Sequence, residues 1–96
     1  MNKYEVAVVL SSLLTDEERA AELETVKGYI TKYQGSVTDV DEWGKRRLAY
    51  EIRKQSEGYF YFISVDAEPA MPVELEKELR LRNETILRYL IVRKGE

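Results

Sequence analysis

The sequence predicts an α+β, ferredoxin-like βαββαβ sandwich, a four-stranded antiparallel sheet with two helices on one face. Three observations carry this. Segments of strand and helix periodicity follow one another as strand, helix, strand, strand, helix, strand. At 96 residues the chain has room for one sheet with a helical cover, since a domain this size buries only roughly 60–65% of its unfolded surface. A hydrophobic content of 44% is enough to drive folding rather than disorder. No repeat, low-complexity tract or linker divides the chain, so residues 1–96 read as a single domain. Right-handed crossovers put both helices on one side and leave the other sheet face uncovered.

The first strand is Lys3 to Leu10, rich in β-branched residues, with Tyr4, Val6, Val8 and Leu10 sharing a face. After a short loop, Ser11–Leu14, the run Thr15-Asp-Glu-Glu18 matches a capping box, and Asp16 and Glu17 suit the positive end of a helix dipole. Leu23, Val26, Ile30 and Tyr33 form the apolar stripe of that helix, and Gly35 is expected to stop it in the left-handed conformation. Ser36 to Lys54 reads as a long strand bent at Gly44, with Gln55–Gly58 as a turn into a strand over Tyr59 to Ala67. Glu68–Pro72 is a rigid connector with Pro72 as the first helical residue. Val73, Leu75 and Leu79 are the expected buried face of the second helix, and Glu76–Arg80 and Glu78–Arg82 are spaced to pair at i,i+4. Ile86 to Lys94 is the last strand, apolar on both faces, so its inward side stays open.

Composition removes several functions. With neither Cys nor His, there is no disulfide, no thiolate metal site, and none of the commonest general base. The cluster Asp39, Asp41, Glu42 lacks the spacing of a calcium loop and reads as a solvated turn; no metal or other cofactor is expected. No glycine-rich phosphate loop is present. The start of the chain lacks the features of a signal peptide, and no run reaches membrane-spanning length, so a cytoplasmic protein without membrane contact is expected.

Net charge is −3, yet the distribution is blocked: residues 1–42 carry −5, 43–54 carry +4, 55–78 carry −5 and 79–96 carry +3. A polyanion senses a patch within a Debye length of ~8–10 Å rather than the total, so net acidity does not exclude RNA. In Trp43-Gly-Lys-Arg-Arg-Leu-Ala-Tyr-Glu-Ile-Arg-Lys54 cations interleave with aromatics, the mixture that phosphate contact and base stacking use. The plainer reading is a soluble, aggregation-resistant hairpin edge. Arg46 and Arg47 are adjacent in an extended segment, so they face opposite ways unless the backbone bulges.

Gly58-Tyr-Phe-Tyr-Phe-Ile63 is similar to the third-strand signature of the RNA-recognition motif, but Glu57 stands where that signature has a cation and Phe60 where it has a small residue. Alternation sends Tyr59, Tyr61, Ile63 and Val65 to one face and leaves Phe60 and Phe62 on the uncovered one, where a protein partner is favoured over stacked bases. An acylphosphatase-like enzyme shares the strand order, but the loop after the first strand, Ser11-Ser-Leu-Leu14, has no arginine or glycine to hold phosphate.

Four stretches carry a family resemblance: Tyr4-Glu5, Trp43-Gly-Lys-Arg-Arg-Leu-Ala-Tyr50, Gly58-Tyr59, and Leu79-Arg80 with Ile86-Leu-Arg-Tyr-Leu-Ile-Val-Arg93. Through them the chain resembles the bacterial small-subunit ribosomal protein six family over essentially its whole length. Glu51 departs from the proline usual there, which an edge strand tolerates. The sequence ends at Glu96 without the long acidic tail of some relatives, so no tail modification is expected. The resemblance implies a non-enzymatic ribosome component without cofactor or small-molecule substrate. It implies binding to the central domain of small-subunit rRNA as a heterodimer with ribosomal protein eighteen. The residues expected on rRNA are Lys3, Arg46, Arg47, Lys54, Arg88 and Arg93; those expected on the partner are Tyr50, Phe60, Phe62 and Leu90.

Overall fold

A computed structural model describes residues 1–94; Gly95 and Glu96, the end of the expected 1–96 unit, lie outside the described residues. The elements are β1 (Asn2–Ser11), α1 (Asp16–Lys32), β2 (Ser36–Ile52), β3 (Gln55–Ala67), α2 (Ala70–Arg80) and β4 (Ile86–Lys94). The strands lie in the order β2-β3-β1-β4, and every neighbouring pair is antiparallel. The split-βαβ sandwich read from the sequence is the fold observed.

One core lies between the sheet and the helices. Tyr4, Val6, Val8 and Leu10 of β1 and Tyr61, Ile63 and Val65 of β3 meet Leu23, Val26 and Ile30 of α1 and Met71, Leu75 and Leu79 of α2. The residues alternate with period two on the strands and recur every three or four on the helices, as burial of one face demands. The capping box at the start of α1 is formed: the Glu18 amide donates to Thr15 Oγ1 at 3.1 Å, and the Thr15 amide donates to Glu18 Oε1 at 2.8 Å.

Five local expectations need correction. The left-handed residue that ends α1 is Gln34 (φ 67°), not Gly35. Gly35 follows it because its amide closes on Ile30 O at 2.8 Å, where a Cβ would lie 2.7 Å from Ile30 Cγ2. The β2–β3 turn is Arg53-Lys54 rather than Gln55–Gly58: both have positive φ (50° and 64°), as a two-residue type I′ connection requires, and Gln55 already pairs with Ile52. α2 begins at Ala70, so Pro72 is its third residue, which costs nothing because first-turn amides have no intrahelical partner. Met71, not Val73, completes the buried stripe with Leu75 and Leu79 at a spacing of four; Val73 is exposed. Glu76–Arg80 pair at 3.5 Å, but Arg82 lies beyond the end of α2 and pairs with Glu22, leaving Glu78 to Lys32 and Tyr33.

Two expectations left conditional are settled. β2 bends at Gly44, where φ is +78° and the register against β3 shifts. On β4, Tyr89 and Ile91 pack toward the core, while Arg88, Leu90 and Val92 face away from the helices.

Candidate functional site

The face of the sheet without helices is where the candidate residues gather. Residues directly opposite each other in an antiparallel ladder share a face. The registers Lys3↔Asp66, Glu5↔Ser64, Ala7↔Phe62 and Val9↔Phe60, with Lys3↔Lys94, Glu5↔Val92, Ala7↔Leu90 and Val9↔Arg88, lay out this surface. It is graded from one end to the other. Near the start of β1 it is ionic, with Lys3 Nζ 3.5 Å from Asp66 Oδ1 and Lys94 Nζ 3.6 Å from Glu5 Oε2. Toward the end of β1 it becomes apolar.

That apolar end is a groove of about 330 Å³, floored by Ala7, Val9, Phe60, Phe62 and Leu90. Its wall is built by a wide bulge in β2. Arg47 pairs with Glu57 and Ile52 with Gln55, so five steps along β2 face two along β3. The surplus residues, within Leu48–Glu51, have no ladder partner on β3 and lean over the floor. Tyr50, at the tip of this arm, accepts a hydrogen bond from Arg88 Nη1 at 3.4 Å. That contact joins the two edge strands of the sheet across its open face.

All four residues expected on a partner surface, Tyr50, Phe60, Phe62 and Leu90, line this one groove. The six cations expected on RNA fall into two sets. Arg47 and Arg88 border the groove, Lys54 sits in the adjoining turn, and Arg46 lies beside them opposite Gly58. Lys3 and Arg93 lie at the far end of the sheet, where Arg93 Nη2 donates to Asn2 Oδ1 at 3.3 Å. The six steps from Lys3 to Val9, the partner of Arg88, span ~20 Å of strand, twice a Debye length. They are not one patch.

Arg46 and Arg47 alternate as an extended chain requires, and the bulge after them brings Arg47 to the groove rim. Arg46 is the better held. Its Nε donates to Trp43 O at 3.2 Å and its guanidinium sits 5.2 Å from the Trp43 ring centre. Trp43 is fixed in turn by Nε1 donating to Asp41 Oδ2 at 2.9 Å and by Phe62, 4.6 Å away at a tilt of 53°. The stack Arg46–Trp43–Phe62 therefore ties a cation to the groove floor. Sequence reading placed Trp43 among stacking residues but missed its partner, because the bulge between Glu42 and Gly44 shifts the face on which it lies.

Sequence reading also missed Glu22 and Arg82. Arg82 Nε and Nη2 reach the two carboxylate oxygens of buried Glu22 at 2.5 and 2.7 Å, Thr85 Oγ1 donates at 2.8 Å, and Arg82 Nη1 donates to Tyr29 OH at 3.3 Å. The Arg82 hydrogen bonds hold the Glu22 carboxyl below the usual carboxylate range against the opposing effect of burial. With its oxygens occupied by donors this pair is a structural clamp between α1 and the loop before β4. At the other helix ends, hydrogen bonding from Tyr33, then Lys32, keeps Glu78 low as well.

Catalytic alternatives find little support in this geometry. In the loop after β1, Ser12 commits both its amide and its hydroxyl to Gln55 Oε1, at 2.8 and 2.9 Å, rather than presenting them to a phosphate. Among the described residues no three carboxylates converge as metal ligands would. No described helix is long and apolar enough to cross a membrane.

Comparison with known proteins identifies the family. The family model described as ribosomal protein S6 matches residues 3–93. The small ribosomal subunit protein bS6 of Caldanaerobacter subterraneus subsp. tengcongensis is 44% identical over 93 residues, covering 97% of each chain. That of Clostridium kluyveri is 42% identical over the same length. The crystal structure of 30S ribosomal protein S6 from Thermotoga maritima superposes with a TM-score of 0.91 at 31% identity, covering 97% of this chain and 87% of that one. The chain belongs to the ribosomal protein S6 family and is not an enzyme.

Proposed function

We propose that this chain is a single-domain structural component of the bacterial small ribosomal subunit, in the cytoplasm, that binds central-domain rRNA together with ribosomal protein eighteen. The observation that carries this reading is the open sheet face: an apolar groove floored by Phe60, Phe62 and Leu90 adjoins cations drawn from β2, the hairpin turn and β4. An apolar groove asks for a protein side chain, and guanidinium groups around it ask for phosphate. Arg46, Arg47, Lys54 and Arg88, with Lys3 and Arg93 at the far end, neutralise phosphates and fix orientation; sequence preference then comes from RNA shape and from the partner.

Base stacking as in a free-standing RNA-recognition motif is less well supported. Such a platform uses aromatics on neighbouring central strands, whereas β1 offers only Ala7 and Val9 beside Phe60 and Phe62, and Trp43 already covers part of Phe62.

The test is titration of central-domain RNA with the lone chain and with the chain plus ribosomal protein eighteen, across a salt series. Flanked by acidic blocks of −5 each, the basic stretch at residues 43–54 should hold RNA only weakly in the lone chain. Partner and RNA should tighten each other by the same factor, and each cation removed should lower the salt slope by about one. Equal RNA affinity with and without the partner contradicts the reading. So does normal incorporation into small subunits after charge reversal across Lys45–Arg47 and Arg88–Arg93.

A further inference from the structure

We propose that the arm at Leu48–Glu51 is a movable wall whose tether competes with RNA for Arg88 until a partner segment enters the groove. The inference rests on the assignment just made, RNA to the cations and an apolar protein segment to the groove, and adds how the two are coupled. Arg88 belongs to both sets: it borders the groove, and its guanidinium is tethered to the Tyr50 hydroxyl. Tyr50 and Arg88 stand on opposite edge strands, so their contact bridges the mouth of the groove. A segment entering between arm and floor has to part them.

Parting them costs little. At 3.4 Å the hydrogen bond is long, and both residues are exposed, so water replaces what each loses. Leu48–Glu51 has no ladder partner on β3, so the wall moves without breaking the sheet. What is gained is Nη1 and the freedom of the planar fork to turn, so that it can meet a phosphate squarely with two parallel hydrogen bonds. Arg93 supplies the contrast. It lies at the far end of β4 beside Asn2, remote from the arm, and its contribution should not depend on the groove.

The experiment measures central-domain RNA affinity for the full chain and three variants, Arg88→Gln, Arg93→Gln and Tyr50→Phe, each with and without ribosomal protein eighteen. Arg93→Gln should weaken both states by the same factor, about tenfold for one charged contact. Arg88→Gln should weaken the lone chain by about fivefold and the complex by about tenfold, the difference being the factor of about two that the tether takes. Tyr50→Phe, which deletes only the tethering hydroxyl, should tighten the lone chain about twofold and reduce the partner's effect by the same factor. Equal loss from Arg88→Gln in both states, or an unchanged partner effect in Tyr50→Phe, overturns the inference while the assignment of surfaces stands. A wild-type chain that binds RNA with no response to the partner removes the assignment and this inference together.

Discussion

The two faces of the sheet are made from alternate residues of the same strands, yet they answer to different demands. On β3, Ile63 and Val65 are closed off by α1 and α2, while Phe60 and Phe62 on the open side remain partly exposed. On β1, Val6 and Val8 face the helices, and Ala7 floors the groove. The covered face is sealed by hydrocarbon, with one buried carboxylate clamped by an arginine. The open face is a gradient from ion pairs to an apolar groove, with cations left over at both ends. A surface that only had to stay soluble would not need a floor of aromatics under a bulged arm.

The sharpest way to break this comparison is to truncate neighbours on one strand. Ile63→Ala should cost ~3–4 kcal/mol of folding stability in denaturant unfolding, because a fully buried branched side chain leaves a cavity. It should leave partner binding by the folded fraction unchanged. The second effect probes the buried carboxylate. Glu22→Gln should cost ~2–3 kcal/mol near neutral pH by leaving Arg82 without its counter-charge. Because the folded state holds Glu22 below its ordinary value of 4.5, this stabilisation is complete above that pH and is lost as pH falls through the lowered value. The wild-type and Glu22→Gln stability curves should therefore converge in acid; curves that stay parallel would show the clamp is not electrostatic. The smallest effect on folding belongs to the open face. Phe62→Ala should cost ~1–2 kcal/mol, since part of the ring already faces water and its loss leaves no enclosed cavity. It should instead change the emission of Trp43, the single tryptophan, and weaken the partner. A folding cost equal to that of Ile63→Ala would erase the distinction between the faces.

Element order, the first helix with its cap, and the burial alternation of β1 and β3 were legible because they depend on period and on local chemistry. The errors fell where one interaction competes with another of similar local merit. Gly35 looked like the left-handed residue, but Gln34 takes that role because Gly35 is needed for its lack of a side chain against Ile30. Gln55–Gly58 had the composition of a turn, yet two cations, Arg53 and Lys54, adopt the conformation glycine and asparagine favour, so the hairpin closed three residues early. Arg82 was spaced to meet Glu78 on a helix that ends before reaching it. Of the candidate site, the open-face aromatics followed from alternation. The arm did not: a bulge of this width leaves no signature in spacing, and it alone brings Tyr50 across to Arg88.

Lys3 and Arg93 at one end and Arg88 at the other are held apart by β1, which is paired on both sides. A limp polynucleotide gains nothing from such an arrangement, since it can settle on either end alone. A folded one that offers two phosphate ridges at the matching interval engages both at once, the second contact being made at high effective concentration. If the chain binds RNA as proposed, the sheet would act as a caliper, accepting RNA by the width of its folded form before any base is consulted.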